Sequence, residues 1–119
     1  MKLYAIVINE ALEHMGHNRG KIAAQCGHAF VGCMEITMKN DVSRWNEYKN
    51  SNYMAKVVLC GNLKSAKKIM KELENKVPFV LITDAGLTVF DKPTQTVLGV
   101  GPIRDEEMIN KIKGLPLLI

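Results

Sequence analysis

The sequence has little that could staple a chain together. Its three cysteines, Cys26, Cys33 and Cys60, are odd in number, widely spaced and set among apolar residues. That excludes a disulfide framework and points to a reducing compartment. Aromatic residues make up only 6% of the 119 and prolines number four. There is no repeat, no low-complexity tract and no Gly/Ser-rich linker, so the chain reads as one folded domain over 1–119 rather than an array or a tethered pair. No apolar run approaches the ~20 residues of a membrane span. Met1-Lys2-Leu3-Tyr4 leads straight into a strand-like segment without a cleavage site, and the cytoplasm is the expected location.

What is present is an ordinary apolar core supply and an excess of positive charge. Hydrophobic residues account for 47%, enough for a chain of this length to bury roughly 65% of its unfolded surface without a metal. Sixteen Lys and Arg against twelve Asp and Glu give a net charge of +4, which favours a polyanionic partner through long-range attraction.

Periodicity sets the element order. Leu3–Ile8 is a continuous apolar run, the pattern of a strand covered on both faces. Asn9–Gly20 reads as a loop from its polar and glycine content. A helix is expected from about Lys21 into the late thirties, followed by a partly helical stretch, 40–52, anchored by Trp45. Ala55–Cys60 is the second strand, and 62–76 a helix with Leu63, Ala66, Ile69, Met70 and Leu73 on one face and Asn62 as N-cap. Pro78–Ile82 and Thr94–Gly101 are further strands, with a turn at Asp91-Lys92-Pro93. A last helix is expected from near Asp105 to Gly114, with Asp105, Glu106 and Glu107 in its first turn and Lys111 and Lys113 in its last. This order implies an α/β fold: a mixed sheet with helices on both faces.

The helix opening at Gly20-Lys21 carries the chemistry. At about 100° per residue, Lys21, Gln25, His28 and Gly32 share one narrow stripe, while Ile22, Cys26, Ala29, Phe30 and Cys33 gather on a separate apolar face. Lys21 stands in the first turn, where the helix dipole disfavours a cation. A residue that breaks a local rule is a candidate for function, although polar stripes on helices are usually just solvated. Asp84 ends an apolar strand and precedes Ala85-Gly86, at the kind of strand end where α/β clefts form; an Asx turn to Gly86 is the simpler reading. Thr88 and Thr96 are ordinary strand residues on their own, of interest only if Asp84 is near.

Other combinations fail on geometry. Cys26 and His28 diverge by about 200° on a helix and cannot form a dyad. His14, His17 and Cys26 lack the spacing of a metal site. Gly99-x-Gly101 lacks the third glycine of a dinucleotide loop. Lys64, Lys67, Lys68 and Lys71 form a lysine stripe that either faces solvent or tracks phosphates.

Two long segments in fixed order carry a resemblance. Met15-Gly16 followed by Gly20-Lys21-Ile22-Ala23-Ala24-Gln25-Cys26-Gly27-His28-Ala29, then Asp84-Ala85-Gly86-x-Thr88 and Thr96-Val97-Leu98-Gly99-Val100-Gly101-Pro102, are similar to the two signatures of type 2 peptidyl-tRNA hydrolases. The likeness spans nearly the whole chain. It implies a four-stranded mixed sheet between helical layers, usually a homodimer, with no metal and no cofactor. It also implies hydrolysis of the ester joining a peptide to the 3′ ribose of tRNA. The residues it assigns are Lys21, Asp84 and Thr96 as the catalytic set, with Gln25, His28 and Thr88 as supporting substrate contacts. Leu87 and Val89 depart from the family pattern, where Arg and Gln are usual, and imply different contacts to tRNA. The alternative is a non-catalytic RNA- or protein-binding module on the same fold.

Overall fold

The computed structural model describes residues 1–16, 18–86 and 92–119. Among these, four strands form one mixed sheet: β1 (Lys2–Ile8), β2 (Lys56–Gly61), β3 (Phe79–Asp84) and β4 (Thr94–Ile103), in the order β2-β1-β4-β3. β1 runs parallel to β2 and antiparallel to β4, which pairs antiparallel with β3. The central position of β1 explains its apolar run: Ala5, Ile6, Val7 and Ile8 are all buried, because helices cover both faces.

The helices are α1 (Asn9–Met15), α2 (Arg19–Asn40), α3 (Val42–Lys49), α4 (Leu63–Leu73) and α5 (Asn110–Lys113), with short 3-10 turns at Asn52–Met54 and Asp105–Glu107. α2 lies on one face of the sheet. At Gly99 a Cβ would sit 2.8 Å from the Ala29 carbonyl oxygen and 2.9 Å from Cys33 Sγ, so only glycine lets the helix lie this low on β4. The apolar face expected of α2 is the one that packs: Cys26, Ala29 and Cys33 are buried. On the other face α4 buries Ala66, Ile69 and Leu73, with Asn62 Oδ1 accepting from the Ser65 N–H at 2.7 Å as the expected cap. The free edge of β2 is covered by the C-terminal segment, where Leu117 bridges Leu59 and the Leu118 N–H donates to the Val58 carbonyl at 3.1 Å.

Three local expectations are overturned. Asn9–Met15 is a helix, not a loop. No side chain caps it, and it is held by the burial of Ala11 and Met15 against the core. The stretch after α2 is anchored by Tyr48 and Arg44, both buried, rather than by half-buried Trp45. Arg44 donates from Nη1 and Nη2 to the two oxygens of Glu107, each at 2.8 Å, and to the Pro102 carbonyl at 2.7 Å. The last helix is not continuous: Glu107 is drawn to Arg44 and to the Arg104 N–H, and the chain runs extended at Met108 and Ile109 before α5. The turn expected at Asp91-Lys92-Pro93 begins outside the described residues.

Candidate active site

The site forms where the start of α2 meets the end of β3. Asn18 caps α2, its Oδ1 accepting from the Lys21 N–H at 3.0 Å, which fixes Lys21 in the first helical turn. Asp84 is the last residue of β3, and the strand's alternation (Val80, Ile82, Asp84) aims it at the α2 face. Lys21 Nζ donates to Asp84 Oδ1 at 2.6 Å across 63 residues of sequence. The other carboxylate oxygen, Oδ2, accepts from the Gly86 N–H at 2.9 Å, so the Asx turn and the ion pair coexist. Gly86 has φ +84°, and a Cβ there would come within 2.6 Å of the Lys92 backbone, so the turn that supplies this N–H needs glycine.

Thr96 reaches the same place through an irregularity. In the β3–β4 register Ile82 faces Val97 and Thr83 faces Gln95, leaving Thr96 as an extra residue without a β3 partner. Such a bulge re-aims a side chain. Thr96 Oγ1 donates to Gln25 Oε1 at 2.5 Å, and Gln25 Nε2 then faces Asp84 Oδ1 at 3.4 Å. Both Thr96 and Gln25 are buried, whereas the Lys21 and Asp84 side chains remain 15% and 11% exposed. Solvent therefore reaches the ion pair, and the threonine acts through the glutamine.

The electrostatics follow from these contacts. The Lys21 ammonium, then the Gly86 N–H, hold the Asp84 carboxyl below its ordinary range, with His28 adding a smaller pull and partial desolvation opposing them. With Lys21 and Gln25 on Oδ1 and the Gly86 N–H on Oδ2, the ionised carboxylate keeps a lone pair on Oδ2 for a water. Burial pushes the Cys26 thiol up and, against a smaller opposing backbone hydrogen bond at Val80, the Cys33 thiol to about 12, which disfavours the reactive thiolate at both.

Beside the ion pair, α2 and β3 enclose a half-open cavity of about 480 Å3 bordered by Asp84, Gln25 and His28. His28 is exposed at its mouth. Glu35 also borders it and was not among the expected residues; continuing the α2 stripe past Gly32 by three residues reaches it. Among the described residues no group of three His, Cys, Asp or Glu side chains is arranged to hold a metal. No described helix is long and apolar enough to cross a membrane.

Comparison with known proteins agrees with the sequence signatures. The family model described as "Peptidyl-tRNA hydrolase PTH2" matches residues 1–118. The chain belongs to this family. Among its relatives, a protein named peptidyl-tRNA hydrolase from Sulfolobus acidocaldarius is 38% identical over 102 residues, covering 81% of this chain and 84% of the relative. Proteins of the same name from Methanopyrus kandleri and Halobacterium salinarum are each 32% identical, over 102 and 101 residues, covering 85% and 84% of this chain and 87% of each relative. Of the six positions at which the signatures of the PTH2 family placed functional residues, Lys21, Gln25, Asp84 and Thr96 form one connected set and His28 borders the same cavity. Thr88 lies outside the described residues, as do Leu87 and Val89, the positions that depart from the PTH2 pattern.

Proposed function

We propose that this chain hydrolyses the ester between a peptide and the 3′ ribose of tRNA, with residues 1–119 working as one hydrolase domain. The single observation that carries the mechanism is the 2.6 Å contact between Lys21 Nζ and Asp84 Oδ1 at the mouth of a solvent-reachable cavity. Ester hydrolysis needs an activated water and a donor for the charge developing on the carbonyl oxygen. Asp84 orients the water and accepts its proton, which passes to the 3′ oxygen of the ribose as the ester bond breaks. Lys21 faces the oxyanion or a tRNA phosphate together with the free N–H groups of the first α2 turn. Gln25 holds Asp84 in place and is itself held by Thr96; His28 is a substrate contact at the rim, and Thr88 is assigned as a further substrate contact by the family signature alone.

The reaction is proposed to need no metal or other cofactor, since ammonium and carboxylate supply both functions. The working unit is proposed to be a cytoplasmic homodimer. An apolar hollow of about 850 Å3 bordered by Ile22, Phe30, Val58 and Leu118 supports a second copy as its cover. Sedimentation at the 13.3 kDa monomer mass across micromolar concentrations would remove the dimer.

The decisive experiment follows release of free tRNA from peptidyl-tRNA by the parent and by Asp84→Asn, each with and without a chelator. Turnover that survives the chelator and vanishes in the variant supports the reading. Unchanged turnover in Asp84→Asn removes the assigned role, and tRNA binding without any turnover in the parent makes the chain a binding module instead.

A further inference from the structure

α4 turns Ala66, Ile69 and Leu73 into the core and Lys64, Lys67, Lys68 and Lys71 outward. Among the described residues none of these four lysines has a hydrogen-bond or ion-pair partner, although Lys111 nearby is paired with Glu72 at 2.9 Å. They stand three and four residues apart, where like charges repel across one helix face. Lys64 and Lys67 also occupy the N-terminal half of α4, where the dipole disfavours cations. Among the described residues no ion pair offsets this cost, which points to a partner outside the chain that neutralises it.

The surface beside the stripe leads to the candidate site. The lysines border a depression of about 570 Å3 that also touches Glu10 and Leu63. Glu10 and Leu63 border a second, larger hollow of about 950 Å3 that extends to Lys92, Thr83 and Gln95. Thr83 in turn borders the Asp84 cavity. Among the described residues bordering the first two hollows, the one carboxylate, Glu10, accepts from the Leu63 N–H at 3.1 Å and so caps α4. A connected path therefore runs from the lysines on one face of the sheet, around the end of β3, to Asp84 on the other.

We propose that the α4 lysines are the docking rail for the phosphate backbone of a duplex stem of tRNA, holding it while the 3′ end passes Thr83 to reach Asp84. This rests on the hydrolase reading for the identity of the polyanion. From Lys64 to Lys71 the rail extends about 10 Å along the helix axis, a length that meets only a few successive phosphates. Phosphate contacts fix position without reading sequence, so the rail serves tRNAs alike.

The test replaces all four lysines with alanine, the residue that best preserves an exposed helix. Three measurements are made: binding of deacylated tRNA across a salt series, turnover of peptidyl-tRNA, and turnover of a peptidyl ester of the terminal adenosine alone. Expected are roughly 10-fold weaker tRNA binding near 0.1 M salt and a log–log salt slope lower by about one per lost phosphate contact. KM for peptidyl-tRNA should rise by a similar factor with kcat unchanged, and the adenosine ester should be unaffected. Unchanged affinity and slope, an equal loss on the adenosine ester, or a parent that prefers phosphatidylserine vesicles to tRNA would each overturn the rail. The two readings fail separately: lysine-dependent tRNA binding without turnover keeps the rail and removes the hydrolase, whereas intact turnover with an unmoved KM does the reverse.

Discussion

Thr96 donates its hydroxyl hydrogen to Gln25 Oε1 at 2.5 Å, and that bond decides which end of the glutamine amide faces Asp84. With the oxygen occupied, the NH2 end is the one turned toward Asp84 Oδ1, where a reversed amide would set oxygen against oxygen. Thr96→Val keeps the shape and removes the donor. It leaves a buried acceptor unpaired, at a cost of about 1–3 kcal/mol of stability. Turnover should fall through kcat rather than KM, because Thr96 has no exposed surface to offer substrate. A steady-state comparison of the two parameters checks this, and a change confined to KM would place Thr96 in contact with substrate.

Lys21 is the largest influence holding Asp84 ionised. Lys21→Met removes it, so the Asp84 pKa should rise. The acid limb of the kcat/KM profile should therefore move to higher pH, and the plateau should drop by roughly 10²-fold or more, the usual scale for losing a positioned charge at a developing oxyanion. A pH profile displaced in neither limb would make Lys21 a surface lysine.

Gln25→Glu tests the same carboxylate from the other side. A second carboxylate facing Asp84 disfavours its ionised form, so the acid limb again shifts upward, now with the lysine still present. If the limb stays where it is in the parent, Gln25 and Asp84 are not neighbours in solution.

Arg44 is 5% exposed and ties Asp41, Glu107 and the Pro102 carbonyl together, with no contact to the residues of the candidate site. Arg44→Ala should cost about 3 kcal/mol, the low end for breaking a buried pair, because Glu107 keeps about a fifth of its exposure to water. Thermal unfolding should show a midpoint lower by roughly 10 °C, with activity at low temperature retained. Acid sensitivity has the same origin. Hydrogen bonding from Arg44 holds the Glu107 carboxyl below its ordinary 4.5, as Lys21 holds Asp84 below 3.8. Carboxyls depressed in the folded chain contribute stability that is complete above their unfolded values and is lost as pH falls through their folded ones. Unfolding free energy should be flat above 4.5 with respect to these groups and decline below it, and Glu107→Gln should flatten part of that decline.

The sheet, α2 and α4 were legible because their residues obey one period throughout: the apolar run of β1, the separate polar and apolar stripes of α2, and Leu63-Ala66-Ile69-Leu73 on α4 behind its Asn62 cap. α1 was not, because it has no capping side chain and is a helix only by virtue of what Ala11 and Met15 pack against. The break before α5 was hidden for a related reason: Glu107 suits a helical first turn until Arg44, 63 residues earlier, competes for it. Lys21 broke the dipole rule and so stood out. Its pairing with Asp84 could not be read from spacing, and only the resemblance brought the two together. The contact of Thr96 with Gln25 was invisible in principle, since every residue from Thr96 to Ile103 is buried and no alternation marks where the strand changes phase.

That change of phase has a consequence for how the fold can vary. Before Thr96 and after it, odd and even positions of β4 look to opposite sides, so the strand is two half-ladders offset by one step. No exchange of one side chain for another can create or erase that offset; only insertion or loss of a residue can. Deleting Thr96 would leave both half-ladders on their present sides and join them in one regular pleat, because Val97 and Gln95 already pair with the adjacent residues Ile82 and Thr83; what would be lost is the hydroxyl that holds Gln25.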